Sequence, residues 1–329
     1  VETAQRNIRV QQWVAALSVV LLAAKLIAYY LTHSVAILTD ALEGIVNVVA
    51  GFVGLYSLYL SAKPRDADHP YGHGKVEFVS AALEGSMIFL AGSLIVYESI
   101  VNLISPRTIH QLDTGMILIA AAGIINYVVG TICVKTGTKN NSLSLIASGK
   151  HLQSDTYSTI GILVGLVLLY FTNIAWIDSV TALIFSAIIL YTGYKIVRTS
   201  IAGMMDETDT ELLAKMVTML NAHRRENWID LHNLRIIKYG SRLHMDCHLT
   251  VPWYLNVHEA HVEIDYLAQQ VRKEFGESME MFVHSDGCLD FSCKICSKAT
   301  CAVRKHPFER KVEWTVDNIS GDEKHSVTT

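Results

Sequence analysis

Charge is scarce in this chain and almost balanced: Asp, Glu, Lys and Arg make up 18% of the 329 residues, and the formal net charge is −4. No basic stripe interleaved with aromatic residues occurs outside the apolar stretches, which argues against nucleic acid as a partner. No His-Glu-x-x-His pair and no nucleophile motif is present. That removes the usual footing for a metal enzyme embedded in a membrane, the first rival reading. The first apolar stretch is not expected to be a cleavable signal, because it is too long for a signal core and five more follow it.

What remains is hydrophobic. Apolar residues account for 51% of the chain and crowd into its first 200 positions. A helical span needs about 20 mostly apolar residues, and six stretches qualify, at roughly 11–31, 35–60, 77–104, 114–135, 144–171 and 175–198. Basic residues flank alternate ends of these stretches: Arg6 and Arg9, then Lys63, Arg65 and Lys75, then Lys135, Lys139 and Lys150, then Lys195 and Arg198. The opposite loops hold little beyond Arg107, so both termini are expected on the cytoplasmic side of a lipid bilayer. Lys25 lies near the outer end of the first span, where it can snorkel to the interface.

After Gly203 the pattern changes. Asp206 to Asp209 offer helix N-caps, and Leu212, Leu213, Met216, Val217 and Leu220 recur at helical spacing. Two alternating runs separated by Gly240–Ser241 follow, then an amphipathic stretch from Val257 to Phe275, then a third run from Met279 to Asp286. Helix, strand, strand, helix, strand predicts a small two-layer α+β domain of the ferredoxin or metallochaperone kind. The fold class is thus an α-helical membrane protein of six spans carrying an α+β cytoplasmic domain. The boundaries read 1–203 for transport, 204–287 for metal binding and dimerisation, and 288–329 for a polar, Cys-rich tail.

Ionisable residues sit inside the apolar stretches, and a charge in hydrocarbon marks a substrate or proton path by default. Asp40 lies in the second stretch; His151 and Asp155 lie in the fifth, one helical turn apart on one face. Together they offer three ligands to a divalent ion. Glu43 and Asn47 share the Asp40 face, whereas position 44, one turn after Asp40, is Gly and ligates nothing. Helix packing through hydrogen bonds would explain Asn47 equally well, and Asp40 could pair with Lys150. For Glu84 and Asn126 an interior hydrogen bond or a wet cavity wall is favoured.

Three further sets carry metal chemistry. Asp66, His69 and His73 fall within eight residues of the long loop after the second span, where Gly72 and Gly74 let the backbone fold them together. Between residues 232 and 286, His244, Asp246 and His248 share one strand face, while His232, His258, His261, His284 and Asp286 lie at element ends. So many imidazoles in so small a domain point to metal. Finally Cys288, Cys293, Cys296 and Cys301 have the spacing C-x4-C-x2-C-x4-C. Cytosolic thiols stay reduced, so metal is favoured over a disulfide, and a closed zinc site over an iron–sulfur cluster. Cys133 and Cys247 read as packing residues.

Residues 10 to 287 resemble the cation diffusion facilitators, a family of homodimeric six-span exporters of zinc and related metals. The resemblance implies that Asp40, His151 and Asp155 bind the transported ion, and that Asp66, His69, His73, Gly74 and Lys75 form the loop motif. It implies a regulatory metal at His232, His248, His261, His284 and Asp286, and a salt-bridge interlock of Lys75 with Asp206. Gly44 departs from it, since similar zinc members carry a second carboxylate there; Glu43, Asn47 or water must stand in. The Cys-rich tail has no family counterpart. A histidine-rich loop between the fourth and fifth spans is absent, which leans toward a prokaryotic source and a bacterial inner membrane.

The expected function is export of a divalent metal against protons: zinc first, ferrous iron second, with manganese and cobalt as alternatives within the family. A neutral His151 would bind metal and a protonated one would release it, while the helices rock about a fixed midplane site. The second rival, a membrane-anchored metal sensor or redox protein acting through the Cys tail, leaves the ionisable residues in the spans without a purpose.

Overall fold

The structure is a computed structural model that describes residues 2–32, 35–104, 115–172, 176–240, 242–276 and 279–328. They fall into two compact units, Val1–Met205 and Asp206–Thr329. The first is built from α1 (Glu2–Thr32), α2 (Val35–Ser61), α3 (Val76–Ile104), α4 (Gly115–Lys139), α5 (Leu143–Thr172) and α6 (Trp176–Met204). Among the described residues five of these, all but α5, are long and apolar enough to cross a membrane. At 30 residues α5 has a span's length, but its first half carries Ser144, Ser148, Lys150, His151, Gln153, Ser154, Asp155 and Thr156.

Polarity in this unit is inverted relative to a protein dissolved in water. Gln11, Glu84, Ser144, Ser148, His151 and Ser186 are buried, whereas Val20, Leu90, Ile124 and Ile184 are more than half exposed. Apolar side chains facing outward from a helical unit belong against lipid, and polar ones find partners inside. Helix α1 begins nine residues before the apolar stretch does, and its polar first turns are held to the α4–α5 connection by a hydrogen bond from Asn140 to Asn7.

Tight crossings set the helix positions. A Cβ added at Gly130 would lie 2.7 Å from the Gly149 carbonyl oxygen, and one at Gly149 would lie 2.7 Å from that of Gly130. So α4 and α5 meet backbone to backbone two residues before His151, the close approach that small residues permit in membranes. The turn joining them passes through Asn141 at φ 53°, a left-handed position that Asn tolerates, and Ser142 N–H closes it on the Gly137 carbonyl at 2.9 Å.

The second unit follows the expected order: α7 (Thr210–Ala222), β1 (Asp230–Tyr239), β2 (Arg242–Val251), α8 (Val257–Phe275) and β3 (Glu280–Gly287). Asp209 caps α7 and an Asn256/Glu259 capping box opens α8. Strands β1 and β2 form an antiparallel hairpin, and α8 crosses over to bring β3 parallel to β2, giving the sheet order β1-β2-β3. Leu243, Met245, Cys247 and Leu249 of β2 face the core with Met216, Leu220, Leu231, Leu267 and Val271. His244, Asp246 and His248 occupy the opposite face, as the alternation requires.

Residues 288–329, read from sequence as a separate tail, belong to this second unit. Trp314 and Ile319 complete the hydrophobic core, and Arg224 lies 3.9 Å over the Trp314 ring. Where β1 bulges between His232 and Arg235, Asn233 and Leu234 donate to the carbonyls of Gly321 and Ile319. The tail thereby covers the outer edge of β1, a job that sequence pattern does not announce because the segment has almost no regular structure.

Candidate metal centres

In the helical unit, one amide joins the two candidate helices. Asn47 on α2 donates from Nδ2 to Asp155 Oδ2 at 2.5 Å, and its Oδ1 lies 2.8 Å from His151 Nε2. An ionised Asp155 fixes the amide this way round, because only NH2 can face a carboxylate; the His151 proton then sits on Nε2. Among the described residues, Nδ1 of His151 is buried without a hydrogen-bond partner. The structure therefore brings Asn47, His151 and Asp155 together at the first polar level of α5. The side chains of Asp40 and Glu43 lie outside the described residues. A Cβ at Gly44 would meet Leu22 Cδ1 at 3.2 Å, so α1 packs against α2 where a carboxylate was expected by resemblance.

One turn along α5, Gln11 donates to Ser148 at 3.1 Å, and Ser148 donates to Glu84 at 2.9 Å. Farther on, Ser80 bonds both Ser57 and Ser144, and Ser61 and Ser142 both bond Glu77. Glu84 thus takes part in an interior hydrogen bond, as expected, while Asn126 is buried with its Oδ1 unpartnered. Sequence reasoning missed Gln11 and Ser148. The signal available was the serine recurrence at i and i+4, Ser144 and Ser148, leading to His151. Lys150 bonds Gln153 at 3.2 Å.

The loop between α2 and α3 gathers its three ligands. Asp66 Oδ1 accepts from the His69 backbone N–H at 2.7 Å and lies 3.0 Å from its Nδ1, while Asp66 Oδ2 lies 3.3 Å from His73 Nε2. Gly72 takes φ +88°, the left-handed turn that only glycine adopts without strain. One ligand atom from each of Asp66, His69 and His73 lies within 4.8 Å of the others.

The sheet gathers a second trio by register. His232 pairs with His248 across β1 and β2, and His248 with His284 across β2 and β3, so three imidazoles form one rung. Two residues on, Asp286 reaches back: its carboxylate lies 3.6 Å from His232 Nε2, 3.3 Å from His248 Nδ1 and 3.5 Å from His284 Nε2. His232, His248 and Asp286 offer ligand atoms within 4.8 Å of one another, a nitrogen-and-carboxylate set that suits zinc and its neighbours.

Three residues not foreseen support this rung. Asp230 lies 3.4 Å from Nδ1 of His232, which leaves Nε2 to face Asp286. His325 holds Asp230 in turn, through Nδ1 at 2.6 Å and its backbone N–H at 2.9 Å. Burial pushes the Asp230 carboxyl up, but the contacts from His232 and His325 outweigh it and hold it well below the usual range. Lys324 places its ammonium 3.6 Å from Asp286. Alternation could have found Asp230, two residues before His232 on β1; nothing local in sequence points to Lys324 or His325. His261 stands apart on the exposed face of α8, 3.7 Å from Asp265, so this protomer alone does not bring it to the rung. His258 is likewise exposed at the start of α8, and His244 pairs with Glu280 at 3.0 Å.

All four tail cysteines are free and line one small cavity beside Ile229 and Pro252. Among the described residues no three of their sulfurs come within 4.8 Å of one another.

Comparison with known proteins covers both units. Residues 13–205 match the family model described as the cation efflux transmembrane domain, and residues 208–288 match that of the cation efflux protein cytoplasmic domain. An uncharacterized transporter of Synechocystis is 34% identical over 237 residues, 72% of this chain and 76% of the relative. A manganese efflux system protein of Bacillus subtilis is 27% identical, covering 78% of this chain and 87% of its own. The cadmium, cobalt and zinc/proton–potassium antiporter of the same organism is 25% identical, over 70% and 74%. Both family matches end by residue 288, so the four cysteines lie at or beyond their limit.

Proposed function

Because the chain belongs to the cation diffusion facilitator family, a family of multi-pass divalent-metal efflux transporters and not of enzymes, we propose that it exports zinc in exchange for protons. The observation that carries this reading is the Asn47 amide spanning His151 and Asp155 inside a unit whose polarity is inverted. Two helices are thereby poised to surround one ion. An incoming cation replaces the amide bridge: Asp155 gives a carboxylate oxygen, His151, protonated on both ring nitrogens beforehand, gives Nε2 when that proton leaves and keeps the one on Nδ1, and Asn47 Oδ1 turns to the ion. Asp40 would complete the set from α2. Binding thus releases one proton from the imidazolium, and a proton arriving from the opposite side returns to Nε2, restores the bridge and expels the ion. Alternating exposure of this fixed site would couple the two flows.

A second reading, manganese or ferrous iron as cargo, is favoured by position 44 offering no second carboxylate, which leaves Asn47 as the further oxygen donor. Imidazole with oxygen donors suits these ions as well as zinc, and related proteins divide between manganese and zinc with cobalt and cadmium.

The sheet rung would hold a resident metal through His232, His248 and Asp286, with His284 alongside. By resemblance, His261 counts with this metal set, and Lys75 and Asp206 match the positions of an interlock near the axis of a homodimer.

The test is uptake into proteoliposomes under an imposed pH gradient, with zinc, ferrous iron and manganese compared. Asp155→Ala is expected to bring uptake to the level of empty liposomes, and Asn47→Ala to change the ranking of metals. Unaltered flux in Asp155→Ala would sink the reading.

A further inference from the structure

The tail from Cys288 makes 42 residues and, among the described residues, holds one short 3-10 helix, Asp290–Lys294, yet it is built into the second unit. A segment so poor in regular structure needs a local staple, since its own core is small. Trp314 and Ile319 join the main core, but around the cysteines the packing is limited to Ile229, Ile295, Cys296 and Val312, with Cys288 and Val327 against them. We propose that Cys288, Cys293, Cys296 and Cys301 form a closed tetrathiolate zinc site that fastens this tail to the sheet.

Four observations converge on it. All four side chains line the same cavity of about 20 Å³, room for one ion and not for an organic ligand. Cys293 and Cys296 flank a tight turn in which the Ile295 N–H returns to the Ser292 carbonyl at 3.2 Å, the two-residue spacing that places paired thiolates on one ion. A backbone N–H aims at sulfur, Lys305 at Cys293 Sγ, 3.4 Å, the kind of donor that surrounds a thiolate ligand. Arg304 gathers the loop from behind, donating to the carbonyls of Cys293, Cys296 and Lys298 at 2.7 to 3.0 Å. The sulfurs stand wider apart than ligands of one ion, so metal at Zn–S distances of about 2.3 Å would draw the loop inward. Each thiol that becomes a ligand gives its proton to solvent.

The site would also position the rung. Cys288 follows Asp286 by two residues and continues the β3 pairing through its N–H on Val251. Lys324 and His325, at the far end of the same tail, contact Asp286 and Asp230.

The experiment uses full-length protein in detergent, in a His69→Ala/His73→Ala/Asp155→Ala/His232→Ala/Asp286→Ala background that empties the other sites. After loading with zinc alone and exhaustive dialysis, bound zinc is counted, and cysteines are alkylated with and without a strong chelator. The expected result is about one retained zinc per chain, slow alkylation of all four tail cysteines, and their joint release to alkylation as the chelator removes zinc. Cys293→Ser and Cys301→Ser should each lose that zinc and raise amide exchange across residues 302–328. If a variant fails to fold, the chelator result on the unsubstituted cysteines decides alone. Retained zinc unchanged in both serine variants, chelator-independent alkylation, a disulfide among the four, or iron with sulfide in place of zinc would overturn the proposal.

Discussion

Two histidine clusters in one chain are held in opposite ways. On the sheet, strand register sets the distances, Asp230 orients His232, and His325 holds Asp230. Between α2 and α5 the link from His151 to Asp155 runs through an amide, Asn47, which on the proposed reading must itself turn over. A metal ligand braced by an orienting carboxylate keeps its ion more firmly than one without. On the proposed reading, the contrast would separate a place that stores metal from a place that passes it on.

The sharpest way to break this comparison is His151→Ala. Flux should fall to the liposome background while metal held by the second unit, counted by equilibrium dialysis, stays unchanged. Loss of both would mean that the clusters are one system. Next in size, Asp230→Asn should weaken zinc binding at the rung about 10–100-fold, the usual effect of removing an orienting carboxylate, with transport at saturating zinc retained. Isothermal titration of the purified protein would reveal an unchanged affinity if the brace is idle. Lys324→Ala removes a cation beside Asp286 and should tighten zinc at the rung by a few-fold, on the order of 1 kcal/mol; weaker binding in the same titration would contradict that.

The smallest effect concerns stability alone. Burial raises the Asp209 carboxyl, but the hydrogen bonds from Lys238 and from the Leu212 N–H lower it by more, so it lies below its ordinary value of 3.8. Its stabilising contribution is therefore present above that value and fades as pH falls through the folded one. Asp209→Ala should cost the second unit about 1 kcal/mol at neutral pH, and the two proteins should converge in acid when unfolding is followed by circular dichroism. A gap that persists at low pH would remove the carboxylate from the explanation.

Much of this was legible in the sequence because periodicity carries it. Alternation put Leu243, Met245, Cys247 and Leu249 inside and His248 outside, and a four-residue spacing put His151 and Asp155 on one helix face. Asn47 was legible as a candidate for a subtler reason: it lies two turns from Asp40. What sequence could not deliver was contact between distant segments. His325 meets Asp230 across 95 positions, and no local pattern encodes such a meeting. The tail failed to announce itself as part of the sheet unit for the same reason, since Trp314 and Ile319 sit among turns.

At Gly130 and Gly149 the carbonyl of each helix fills the space where the other would carry a side chain. Such a joint has no cushion to compress, so α4 cannot slide or roll on α5 without losing the fit. The pair must then travel as a single lever, bearing His151 and Asp155 with it. Whatever hinge opens the cation nest to either side of the membrane has to be sought along the seams where flexible side chains, rather than bare backbone, fill the gap.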